Sequence, residues 1–164
     1  THIGDYGLLQ KQTFYEPVVK VPFIVWYPLK FASGVKINTP VETRWLLPSL
    51  LELIGIGILK ECESESLADT FCFGIEPMQK PIFSEFTLGS FNTLINADIN
   101  ENIKLVMVVD GEWKFFACFS PEINDPYLYD LKKDPYESKN ISLVKNFQDI
   151  VIYYSTLIKQ HLKI

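Results

Sequence analysis

The sequence predicts an α/β chain: an incomplete βα piece, then a small antiparallel sheet closed by a C-terminal helix. Three observations predict it. Val18 to Tyr27 is a near-continuous apolar run, as in a strand buried on both faces. Asp110-Gly111 stands between two β-rich runs, a strong two-residue turn signal. Leu143, Phe147, Ile150, Tyr154, Leu157 and His161 recur at spacings of three and four, which makes one apolar helical face.

Taken in order, residues 1–17 are glycine-bearing, polar and aromatic, and read as an ordered loop. The apolar run follows. Pro22 removes a ladder donor, so it belongs near the strand's start or beside an edge. Pro28 ends the run, and Lys30 to Pro40 is a loop around Gly34. Val41 to Ile54 reads as a helix with Thr43 as N-cap, Pro48 in its first turn or at a kink, and Gly55 as its stop. Gly57 to Lys80 lacks a period except for a short helical piece near Ser66 to Phe71. Pro81 to Phe86 is a strand, Ile103 to Phe119 a hairpin, Tyr127 to Tyr129 a further strand, and Lys132 to Glu137 a turn around Asp134-Pro135. Ser142 to Leu162 is the clearest helix. The chain thus divides into 1–60, a connector at 61–80, and 81–164. The first piece offers one strong strand, so its neighbours must come from upstream sequence or another chain.

Composition excludes several classes. A length of 164 residues suits one domain on a prior of ~100–200 residues. A net charge of −5 argues against a duplex nucleic-acid binder, which needs a basic face. Hydrophobic residues at 48% and charged residues at 21% exclude disorder. No apolar run reaches the ~18 residues of a membrane span, because Pro48, Glu52, Gly55 and Gly57 interrupt Trp45 to Leu59. Cys62, Cys72 and Cys118 are odd in number and make no C-x-x-C, so they form no disulfide framework; one disulfide remains open, and reduced thiols in a cytoplasmic setting are the plainer reading. The chain starts at Thr1 with no signal peptide, as a processed or truncated piece would.

Chemistry-bearing motifs are sparse. His2 and His161 sit at opposite ends, suiting neither a Ser–His–Asp triad nor a His-rich metal cluster. There is no P-loop and no G-x-G-x-x-G. Asn140-Ile141-Ser142 matches a glycosylation triplet, although Asn140 serves the helix start equally well. Lys11 is the most informative charge. It stands in a glycine-rich, aromatic-flanked loop before the apolar run, where a lysine can meet an anionic ester oxygen; its alternative is an ordinary solvated lysine.

Five ordered blocks resemble the sulfatase family of the alkaline phosphatase superfamily. Gly4-Asp5-Tyr6-Gly7-Leu8-Leu9-Gln10-Lys11, with Tyr15-Glu16 and Val21-Pro22, is similar to G-D-H-G-L-W-G-K-x-x-x-Y-E-x-x-x-R-V-P. Val41 to Gly55, with Leu46-Leu47-Pro48-Ser49-Leu50-Leu51-Glu52-Leu53 inside it, resembles V-x-x-x-D-L-L-P-T-L-L-D-L-A-G, and Ile82-Phe83-Ser84-Glu85 resembles V-F-S-E. Gly111-Glu112-Trp113-Lys114-Phe115 is similar to G-x-x-K-Y/L, and Leu128 to Glu137 to L-Y-D-L-x-x-D-P-x-E.

The resemblance implies the end of an alkaline-phosphatase-like α/β core followed by its C-terminal subdomain. It implies a sulfuric ester hydrolase whose formylglycine nucleophile arises from an upstream C/S-x-P-S-R motif. It also implies a divalent metal, calcium in most members, whose ligands lie upstream of Thr1. The family's lysine that contacts sulfate and nucleophile maps onto Lys11, as catalytic and substrate-binding residue. The implied substrate is a small-molecule or saccharide sulfate ester, with a phosphonate or phosphate ester as the close variant. Asp5 and Tyr6 keep two readings: they line the substrate mouth, or Asp5 orders its own loop. Tyr6 replaces the usual His, and Lys20 replaces the usual Arg while keeping a positive charge near Glu16. Tyr15 and Glu16 read as anchors of the loop to the sheet. The reading from another class is a non-catalytic interaction module, expected to be inactive and to associate through an open sheet edge.

Overall fold

The computed structural model describes residues 1–11, 13–57, 61–62, 64–87, 104–120 and 122–163. Leu59 and Ile103, which bound two of the segments read from the sequence, lie outside the described residues. Two compact units emerge: Thr1–Val21 with Phe83–Ile164, and Pro22–Ile82. Contacts therefore group the N-terminal loop with the C-terminal sheet, whereas the sequence division joined it to residues 22–60.

In the first unit, β1 (His2–Ile3) pairs antiparallel with β2 (Leu9–Gln10), and α1 (Glu16–Val19) follows. Strands β3 (Ile82–Thr87), β4 (Lys104–Asp110), β5 (Trp113–Ser120) and β6 (Glu122–Asp130) form one sheet in sequence order. The β4–β5 hairpin pairs Asp110 with Trp113, so Gly111 and Glu112 form the tip, one residue beyond the predicted dipeptide. Gly111 takes φ 59°, a left-handed value that glycine adopts cheaply. Strand β6 is longer than predicted and carries a register shift opposite Phe116 to Cys118.

Alternation along these strands builds two buried faces. Val106, Val108, Phe115, Ala117, Phe119 and Leu128 pack with Tyr154 and Ile158 of α4 (Gln148–Leu162). The residues between them, including Lys114, Phe116 and Tyr129, face the other way and are also buried. Phe14 and Tyr15 cover that second face, with edge contacts to Phe116 at 6.0 and 5.6 Å. The predicted C-terminal helix thus starts later, after a 3-10 turn at Lys145–Phe147. Leu143 precedes it and is 87% exposed, so it does not belong to the apolar face.

The second unit corrects the predicted buried strand. Val18 and Val19 close α1, and residues 20–27 form no regular element. Ile24 and Trp26 are more than four-fifths exposed, at 86% and 83%. A parallel strand exists through its neighbours' ladders, and among the described residues none pairs with this segment. The predicted helix is present as α2 (Leu46–Leu53), entered through a 3-10 turn at Thr43–Trp45. Thr43 makes no capping bond; it lies inside that turn, and Pro48 sits in the first turn of α2. Gly55 stops the helix at φ 77°, with its N–H on Glu52 and the Ile56 N–H on Leu51, both 3.0 Å. Helix α3 (Ala68–Phe73) lies next to α2, and buried Ser49 ties them: its Oγ donates to the Trp45 carbonyl at 2.5 Å and accepts the Leu67 N–H at 2.7 Å.

Candidate functional site

The site begins with the β1–β2 hairpin, which presents Asp5, Tyr6 and Lys11. A tight turn joins the two short strands: Gly4 takes φ 101°, and Tyr6 itself takes φ 56°. Asp5 is exposed, and its carboxylate accepts the Ile3 N–H at 3.2 Å, which orders its own loop. Tyr6 stacks on Tyr15 with ring centroids 4.4 Å apart, and its hydroxyl donates to the Tyr136 carbonyl at 2.5 Å. Partial burial, then the Glu137 carboxylate nearby, raises the Tyr6 phenol above its ordinary range, so that donor persists through neutral and mildly alkaline solution. His2 is buried against the edges of Tyr6 and Tyr15, with Nε2 2.6 Å from Thr13 Oγ1. Lys11 follows β2 directly and is exposed. No described residue engages its ammonium in a hydrogen bond or ion pair, so that charge faces outward.

Below this hairpin lies a buried charge cluster that the sequence reading did not single out. Lys114 on β5 is fully buried, and its Nζ donates to Glu16 Oε1 at 3.0 Å. The same Nζ stands 2.7 Å from Glu137 Oε1, an ionic contact off the hydrogen-bonding direction. Glu137 Oε2 accepts the Glu16 N–H at 2.7 Å, so one carboxylate engages both the lysine and the loop backbone. Glu137 takes φ 50°, a left-handed conformation rarely adopted by a residue with a side chain. Lys20 adds a second positive charge 3.8 Å from Glu16 Oε2, in line with the expectation for that position. Tyr15 and Glu16 are thus anchors of the loop, Tyr15 through Phe116 and Tyr129 and Glu16 through Lys114.

The turn carrying Glu137 is built by its own acid. Asp134 accepts bonds from the Ser138 N–H and hydroxyl at 3.0 and 2.8 Å, and from the Lys139 N–H at 2.9 Å. Burial alone would raise its carboxyl, but these bonds outweigh burial and hold it below the ordinary range. A signal for Lys114 existed in the sequence: a lysine between Trp113 and Phe115-Phe116, in a strand apolar on both faces, requires a buried carboxylate partner.

Comparison with known proteins places this architecture. A protein whose structure is described as in complex with its substrate D-glucosamine-2-N,6-O-disulfate superposes over 99% of the chain and 32% of its own length. The TM-score is 0.78 at 18% identity. An arylsulfatase from Clostridium perfringens is 26% identical over 164 residues, covering 98% of this chain and 31% of its own. Arylsulfatase K from Xenopus laevis is 26% identical over 138 residues, covering 84% of this chain and 25% of its own. The chain thus spans between a quarter and a third of these curated relatives. The sheet, its terminal helix and the loop packed on them have the fold of the C-terminal region of sulfatases. More narrowly, residues 4–163 match the family described as N-sulphoglucosamine sulphohydrolase, C-terminal, and the chain belongs to that family.

Membership of the sulfatase family implies a divalent metal and a formylglycine in the full-length enzyme. Among the described residues, no three His, Cys, Asp or Glu side chains converge to hold an ion. Among them, too, no helix is long and apolar enough to cross a membrane.

Proposed function

We propose that the chain is the C-terminal part of a sulfatase-like hydrolase in which Lys11 grips the anionic group of a sulfate ester. The observation that carries this reading is an outward-facing ammonium on a braced loop, in a chain of the sulfatase C-terminal family. A sulfate ester holds negative charge on its non-bridging oxygens, and a fixed compact cation beside them stabilises charge in the transition state. The formylglycine and the divalent ion, calcium on the family pattern, would come from upstream sequence and supply the nucleophile and further charge neutralisation. Asp5 and Tyr6 stand beside Lys11 in the same hairpin and would border the substrate's entry.

In this reading, residues 1–60 supply the end of the catalytic α/β core, 61–80 the connector, and 81–164 the subdomain. The exposed apolar run of residues 21–27 then becomes a strand only beside its upstream neighbours. Sulfated saccharides are the favoured substrate class, supported by the ligand of the structurally similar enzyme. The test is Lys11→Ala in the full-length protein, assayed on aryl sulfate and aryl phosphonate monoesters. A loss of about 100-fold or more in kcat, chiefly on the sulfate, is expected. Unchanged sulfate hydrolysis would overturn the role of Lys11, and a faster phosphonate reaction would move the substrate class.

A second reading follows from the exposed apolar segment: the chain alone is an interaction module. Val21, Ile24, Trp26 and Leu29 are each at least half exposed. The isolated chain is then inactive and self-associates, which sedimentation and a sulfatase assay would show. A monodisperse monomer that hydrolysed a sulfate ester unaided would exclude this reading.

A further inference from the structure

We propose that Glu137, held by buried Lys114, is a positioning residue that sets the placement of Lys11 through Glu16. This rests on the role proposed for Lys11 above. The inference comes from where the 134–137 turn grips the N-terminal segment. Two adjacent residues of that turn hold it at two points. The Tyr136 carbonyl accepts the Tyr6 hydroxyl at 2.5 Å, and the Glu137 carboxylate accepts the Glu16 N–H at 2.7 Å. Lys11 lies between these two points along the chain.

The remaining contacts brace the same stretch. His2 bonds Thr13 across the hairpin at 2.6 Å, and Tyr6 stacks on Tyr15. Lys114 fixes the carboxylate from beneath: its Nζ is 2.7 Å from Glu137 and 3.0 Å from Glu16. Both Lys114 and the Glu137 side chain are wholly shielded from water, so their attraction is weakly screened. The left-handed backbone at Glu137 aims that side chain at Glu16 and is itself a strained choice for a glutamate. Lys11 makes none of these contacts, yet its backbone is held on both sides by residues that do. Glu137 acts on the reaction only through that path and is not a catalytic residue.

The experiment is a double-mutant cycle in the full-length enzyme, with Glu137→Gln and Lys11→Ala, on an aryl sulfate. Gln keeps the side-chain shape and one acceptor while removing the charge that Lys114 holds. Glu137→Gln alone is expected to lower kcat by about 10- to 100-fold, the scale of a misplaced reacting group. In the Lys11→Ala background the same change is expected to alter kcat by less than about twofold, because the group it positions is gone. Circular dichroism and thermal melting confirm that each variant is folded. If Glu137→Gln does not fold, Glu137→Asp replaces it: the shorter side chain keeps the charge beside Lys114 but draws the carboxylate back from the Glu16 N–H, and it carries the same two expectations. Equal losses in both backgrounds, or no loss in either, would overturn the positioning role while leaving Lys11 catalytic. No effect of Lys11→Ala itself would instead overturn the proposed function.

Discussion

Replacing Lys114 by Met is the most revealing single change to the stability of the first unit. The substitution keeps an unbranched apolar stem in the sheet and deletes the charge. Glu137, with a side chain wholly shielded from water, and Glu16, one quarter exposed, then lose their shared cation. Removing one partner of a buried ion pair costs about 3–5 kcal/mol, because the other charge stays buried without compensation. Adding Glu137→Gln removes that orphan charge while keeping an acceptor for the Glu16 N–H. The double variant is therefore expected to be more stable than Lys114→Met alone, by about 1 kcal/mol or more. Native-state hydrogen exchange of the β5 and β6 amides reads this locally, without assuming that a larger protein unfolds in one step. A Lys114→Met cost below about 1 kcal/mol would refute the reasoning. So would a second mutation that only adds to the loss.

Ser49→Ala leaves the buried Leu67 N–H without its 2.7 Å acceptor and is expected to cost about 1–3 kcal/mol, measured by thermal unfolding. Gly74→Ala puts a Cβ at φ 69° and 2.8 Å from a Val35 methyl, and a loss of at least about 1 kcal/mol is expected; Val35→Ala should recover part of it. Ile158→Ala opens the fully buried core beneath α4 and is expected to cost about 2–5 kcal/mol. Asp134 has a folded carboxyl pKa below its ordinary 3.8, so its contribution is complete above that value. It is lost as pH falls further through the folded pKa. Asp134→Ala is expected to narrow the stability gap to wild type below about pH 3.8, which melts at pH 3 and pH 6 would detect.

The C-terminal sheet was legible because its signals are local. Two β-rich runs, a glycine at the hairpin tip and a helical stripe each act within a few residues, and β3 to β6 with α4 follow them. The Val18 to Tyr27 run carried an equally clear signal for a buried strand, yet the segment stands exposed. Apolarity states what a segment favours burying; whether a ladder lies beside it is not written in the segment itself. Thr43 failed as a cap because a 3-10 turn begins there and shifts the helix start to Leu46. Leu143 matched the helical spacing, but the chain first turns at residues 142–147 before the helix sets in.

In the candidate site, Lys11, Asp5 and Tyr6 were visible through their loop and family resemblance. Lys114 and Glu137 stood there only as letters of the G-x-x-K and D-P-x-E blocks; their pairing was hidden, since they meet Glu16 from positions 98 and 121 residues away. Pairing over such separations has no signature in a window of neighbouring residues. What was available is the physical requirement that a lysine inside an aromatic strand find a carboxylate. The anchoring roles read for Tyr15 and Glu16 supplied one half of that contact.

The most direct test of the account is the intact mass and upstream sequence of the protein as its native host makes it. The account predicts a much larger product with a C/S-x-P-S-R motif upstream and an Asp-His or Asp-Asn pair just before Thr1. A native product that begins at Thr1 would contradict it. The chemistry would then be absent, and the exposed apolar segment at residues 21–27 would have to be explained by a binding partner.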